Sequence, residues 1–121
     1  FSLFDVPAPP APKAPPAPAA AIPDADLLAL GARLAARALL GTSSWSFPGW
    51  AGLVYAARAT EGELSRRGLS AYARHPVLRA VGIDRTFYAP IAVEDFRAYA
   101  EQVPAGFRFL VKAPAAGSDA A

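Results

Sequence analysis

The stretch Leu78-Arg79-Ala80-Val81-Gly82-Ile83-Asp84-Arg85-Thr86-Phe87-Tyr88 decides the fold. Its apolar, β-branched centre predicts a strand over 78–88. Strand residues alternate faces, so Val81, Ile83 and Phe87 share one surface. Ala80, Gly82, Asp84, Thr86 and Tyr88 share the other. Upstream, Glu63 to His75 reads as a helix with Leu64, Tyr72 and Ala73 inward, weakened by Gly68. Pro76 stops it, because the residue before proline leaves the helical region. Downstream, Val93 to Gln102 reads as a helix resting on Phe96, Tyr99 and Ala100, with Glu94 and Asp95 suited to its positive end. Val103-Pro104-Ala105-Gly106 ends it. Phe107 to Lys112 forms another strand, which Pro114 halts. Before all of these, Asp24 caps a helix over 25–36, and Ala38 to Ser44 is a buried strand running into the Phe47-Pro48-Gly49-Trp50 turn. Helices and strands therefore alternate. That order implies an α/β fold with three parallel strands joined by right-handed crossovers and buried on both faces.

Composition narrows the function classes. The chain has 121 residues and a formal charge of +2, with 13 Pro, one His and neither Cys nor Met. Without Cys there is no disulfide framework, no zinc–thiolate site and no thiol nucleophile. The charge is too small to argue for a nucleic-acid partner. No apolar run reaches the roughly 18 residues of a membrane span, so no membrane partner is expected. Residues 1–23 read as a Pro/Ala-rich disordered arm or linker, since proline cannot join a hydrogen-bonded ladder. Residues 24–114 hold the folded part, and residues 115–121 are a loose end. The first residue is Phe1 and the outer strands have open edges, so the chain reads as a fragment expected to self-associate. These residues show no targeting signal, and with the chain read as lacking its true N-terminus a cytoplasmic location is only the default expectation.

Three stretches together resemble a known family. They are Gly41-Thr42-Ser43-Ser44-Trp45-Ser46-Phe47-Pro48-Gly49-Trp50; Tyr72-Ala73-Arg74-His75-Pro76 running into Val81-Gly82-Ile83-Asp84-Arg85-Thr86-Phe87-Tyr88-Ala89-Pro90; and Phe107-Arg108-Phe109-Leu110-Val111-Lys112-Ala113-Pro114. Their order and spacing resemble the YecE-like family, domain of unknown function seventy-two, over roughly Leu39 to Pro114. The resemblance implies the N-terminal three βα units of a TIM (β/α)8 barrel, a fold of about 250 residues when complete. Asp84 stands where many family members carry Glu. The resemblance names a fold and leaves the reaction open.

In such barrels functional groups gather at the C-terminal ends of the strands. Strand one offers Ser43, Ser44, Trp45 and Ser46, whose hydroxyls and amides suit a phosphate or sugar, or alternatively satisfy turn backbone. Strand two offers Asp84, Arg85, Thr86 and Tyr88. Strand three offers Lys112. Asp84 is expected to point inward and meet Lys112, either as an anion-binding and proton-orienting pair or as a structural ion pair. Arg85 is expected to face the helices or the rim. Trp45, Phe47, Trp50 and Tyr88 suit either a stacking platform or the core. His75 is expected to cap a helix end. One His and one Asp make no metal site. Phosphate-binding glycine loops are missing, so no cofactor is expected.

The resulting expectation is a YecE-like barrel protein binding or processing a phosphate-bearing ligand such as nucleic acid. The ligand-binding set is Ser43, Ser44, Trp45, Asp84, Arg85, Thr86, Tyr88 and Lys112, and the isolated chain is expected to show no turnover. The alternative is a non-catalytic structural or interaction module.

Overall fold

The structure is a computed structural model that describes residues 16–34 and 37–114. Helix α1 (Ala25–Leu34) leads to strand β1 (Leu40–Thr42), then α2 (Glu61–Arg67), α3 (Leu69–Tyr72), β2 (Leu78–Ile83), α4 (Val93–Glu101) and β3 (Arg108–Val111). The three strands form one open parallel sheet in the order β1-β2-β3. Short 3-10 turns follow β1 and β2, at Pro48–Trp50 and Arg85–Phe87. No helix among the described residues is long and apolar enough to cross a membrane.

One face of the sheet is covered. Val81 and Ile83 enter a core with Trp45, Tyr55, Leu64, Leu69, Tyr72, Tyr99 and Phe107. Leu64, Leu69 and Tyr72 are wholly enclosed, and each such side chain contributes roughly 1.5–3 kcal/mol by burial. The other face is open. Gly82 pairs with Leu110 there, and Leu110 is 78% exposed. The expectation of a sheet buried on both faces is thus met on one face only, because the helix residues that enter the core, from α2, α3 and α4, lie on the Val81 side.

The elements are shorter than the sequence suggests, each for a local reason. α1 is described to Leu34, and Ala35 and Ala36 lie outside the described residues. The strand expected over 38–44 spans only Leu40–Thr42 and is mostly exposed, as the sheet edge has no further partner among the described residues. The single helix expected over 63–75 starts earlier, at Glu61, because the Thr60 hydroxyl accepts the Glu63 N–H and caps it. It then divides at Gly68, where a Cβ would meet the Leu64 carbonyl oxygen at 2.6 Å. That close approach turns Leu69 and Tyr72 into the core. The strand expected over 78–88 stops at Ile83, so its alternation does not extend to Thr86 or Tyr88. The arm expected over 1–23 lies mostly outside the described residues, but its end is docked. Ala21 N–H donates to the Val54 carbonyl, and Ala56 N–H to that of Ala19, at 2.9 Å each.

The β1–β2 pairing carries an irregularity. Leu40 faces Leu78 and Gly41 faces Ala80, leaving Arg79 as the extra residue of a bulge. The Tyr72 hydroxyl spans the two strands next to it. It donates to the Ala80 carbonyl at 2.9 Å and accepts the Thr42 N–H at 3.0 Å. The strands approach so closely that a Cβ on Gly41 would run into the Ala80 carbonyl.

His75 sits just before β2, and its Nδ1 accepts the Val77 N–H at 3.2 Å. It therefore caps the turn that follows α3, close to the expected helix-end role.

Tyr72→Phe keeps the ring and removes the bridge, and should cost about 1–3 kcal/mol in chemical denaturation. Burial holds the His75 imidazole below its ordinary value of about 6.5. The folded state then binds a proton less readily than the unfolded chain. The contribution of His75 should be complete above about pH 6.5 and drain away as pH falls through the lower folded value. A wild-type stability profile that tracks that of His75→Asn across this range would overturn the assignment.

Candidate functional site

The C-terminal ends of β1 and β2 open onto a cleft of about 250 Å³. β1 delivers the serine run there by a chain of hydrogen bonds. Tyr72 fixes Thr42, the Thr42 hydroxyl donates to the Ser44 carbonyl at 2.7 Å, and the Ser44 hydroxyl accepts the Ser46 N–H at 3.3 Å. The Ser44 and Ser46 hydroxyls also lie 3.3 Å apart. These side chains hold the loop and stay exposed to the cleft, so the turn-satisfying and ligand-binding readings coexist at Ser44. Gly82 allows the loop to lie close, since a Cβ there would stand 3.1 Å from the Ser43 carbonyl oxygen.

Ser43, Ser44, Trp45, Asp84 and Arg85 line this one cleft. Thr86, Tyr88 and Lys112 stand outside its lining. Asp84 also borders the adjoining space over the open sheet face, beside Ala80, Gly82 and Leu110. Sequence reading did not place Glu61, Ser65 and Tyr99 in the lining. Glu61 had a signal, because Thr60 followed three residues later by Glu63 is a helix-start pattern that puts Glu61 at the first position of α2.

The expected Asp84–Lys112 ion pair is not formed. The chain enters a 3-10 turn directly after Asp84, which brings Phe87 under Lys112 with Nζ 5.2 Å from the ring centre. Arg85 does face a helix, as expected. Its guanidinium lies 5.5 Å over the Tyr99 ring and 3.5 Å from the Asp95 carboxylate, both on α4. Both members of that ion pair are half exposed, so it contributes little to stability. Burial raises the Tyr99 phenol above its ordinary value, with Arg85 opposing that rise.

The aromatic residues divide. Trp45 belongs to the core, 5% exposed, with its indole N–H directed at the Leu64 carbonyl at 3.0 Å and its ring edge-on to Tyr99 at 4.9 Å. Tyr55 donates its phenolic proton to the Trp45 carbonyl, which fixes the backbone there. Trp45 is therefore not available as a stacking surface. Phe47 and Trp50 pack edge-to-face, and Tyr88 packs edge-on against Phe87 while remaining 83% exposed. Thr86 is buried, with its hydroxyl 3.0 Å from the Ile83 carbonyl and 2.6 Å from that of Lys112. Its one hydroxyl proton, shared between the two carbonyls, ties the ends of β2 and β3 together in a buried position.

No group of three or more His, Asp or Glu among the described residues could hold a metal ion. The family model described as "Protein of unknown function DUF72" matches residues 39–120, more than half of the chain. The chain belongs to this family. Its members' matched region here runs from the threshold of β1 through β3, and so contains the whole cleft. No curated protein and no solved structure matches the chain.

Thr86→Val preserves shape and deletes the hydroxyl that two carbonyls share. It should lower stability by about 1–2 kcal/mol, read as a shifted denaturation midpoint with an unchanged slope.

Proposed function

We propose that the chain binds a small, hydroxyl-rich polar ligand at the C-terminal ends of β1 and β2. The observation that carries this reading is the convergence of Ser43, Ser44, Ser46, Glu61 and Asp84 on one cleft. Two carboxylates accept hydroxyl protons, serine hydroxyls both give and accept them, and together they match a polyol or sugar. The same carboxylates repel an anion. We further propose that the sheet is a segment of a TIM barrel. Three parallel strands in sequential order support this, as does the membership of a family whose resemblance implies that fold. In a barrel, the strand C-terminal ends are the functional face.

One observation favours a phosphate-bearing ligand, nucleic acid included, as a second reading. Arg85 lines the same cleft. Its guanidinium is engaged by Asp95 and Tyr99, so a phosphate would have to compete with Asp95 for it.

Backbone amide NMR separates the two. A panel of monosaccharides and glycerol should shift Ser43 to Ser46 and Asp84 saturably, with affinity reduced about tenfold by Asp84→Asn. Saturation by inorganic phosphate instead, lost in Arg85→Gln, would establish the second reading. Shifts with neither class would overturn both.

A further inference from the structure

The opposite end of the sheet holds another cleft, of about 470 Å³. The turn after α3 and the start of β2 line one side of it, with Arg74, His75 and Arg79. The approach to β3 supplies Phe107, and Leu39 and Leu78 supply apolar wall. No Asp or Glu lines it.

Arg79 is held there by the bulge. As the extra residue opposite Leu40 and Gly41, it is released from regular pairing, and bulges re-aim side chains in this way. Its Nη2 reaches the Pro76 carbonyl only at 3.5 Å. Its Nε is buried and has no hydrogen-bond partner among the described residues. Neither Arg79 nor Arg74 forms an ion pair among the described residues. A buried guanidinium N–H without a partner costs free energy, and Arg79 shares the lining with Arg74, so that two planar forks suited to a carboxylate or phosphate border one cleft. The apolar wall of Leu39, Leu78 and Phe107 has no use for a bare inorganic ion.

We propose that this cleft at the N-terminal ends of the strands binds a small organic phosphate, its charged head on Arg79 and Arg74 and its apolar body against Leu39, Leu78 and Phe107. The site is separate from the polar cleft at the other end and does not rest on the reading given to it.

The test is calorimetric titration of the full 121-residue chain with phenyl phosphate, inorganic phosphate and phenol. Phenyl phosphate should bind saturably and more tightly than either fragment. Its affinity should fall about tenfold in Arg79→Gln and in Arg74→Gln, fall with added salt, and stay unchanged in Arg97→Gln, an exposed change on α4. Circular dichroism shows whether each variant is folded. Should Arg79→Gln fail to fold, the exposed Arg74→Gln decides. Absence of saturable phenyl phosphate binding overturns the proposal. So does equal affinity in Arg74→Gln and Arg97→Gln, or phenol binding as well as phenyl phosphate does. Inorganic phosphate binding as tightly as phenyl phosphate would remove the apolar body from it. Sugar binding at the other end, present or absent, leaves each of these outcomes unchanged.

Discussion

The Tyr72 hydroxyl holds the two halves of the molecule in register. Its ring is fully enclosed in the helix layer, and its oxygen joins Thr42 of β1 to Ala80 of β2. β1 is only three residues long and largely exposed, so ladder bonds and burial alone hold it weakly. Burial pushes the phenol up from its ordinary value, which keeps the proton in place for donation to Ala80. The side chain reaches that position because the helix breaks at Gly68, and α3 turns inward there. The break is therefore what allows a helix residue to join two strands.

Both clefts inherit their geometry from that junction. Toward the strand C-termini, the fixed Thr42 directs its hydroxyl at the Ser44 carbonyl and sets the serine run beside Asp84. Toward the N-termini, the irregular pairing leaves Arg79 over and delivers it to the cleft beside Arg74 and His75. A regular ladder would place Arg79 opposite a β1 residue and return its side chain to the alternation of the sheet. The serine run thus follows from the bond between Tyr72 and Thr42, and the placing of Arg79 from the irregular pairing beside it.

Much of this was legible in the chain. Pro76, Asp24 and the apolar run at Leu78 mark ends and strands by steric rules that act within a few residues. The order of helices and strands then allows few topologies, and the parallel sheet follows. Three things were not legible. The end of β2 at Ile83 depends on Thr86 folding back onto the Ile83 and Lys112 carbonyls, a contact across 26 positions. The loss of the Asp84–Lys112 pair follows from the same turn. The arrival of Glu61 and Tyr99 in the polar cleft depends on how α2 and α4 lie over the sheet, which no spacing within either helix encodes. Trp45 shows the remaining ambiguity: beside three serines it resembles a binding aromatic, and only its buried indole N–H, directed at the Leu64 carbonyl, places it in the core.

The two ends of the sheet also differ electrostatically in a way the net charge of +2 conceals. Glu61 and Asp84 border the cleft at the strand C-termini, and the one cation there is drawn aside by Asp95 and Tyr99. Two arginines border the other cleft without an acid among its lining. Charges on opposite ends of a strand pair are separated by more than a Debye length of about 8 Å at physiological salt, since β2 alone has six residues at about 3.3 Å each. Each cleft therefore presents its own local charge. On the readings proposed above, an anion gains at the arginines and a neutral polyol at the serines and carboxylates. On the same readings, phosphate chemistry meets its donors around the start of β2, while the serine run at the end of β1 sits beside two carboxylates.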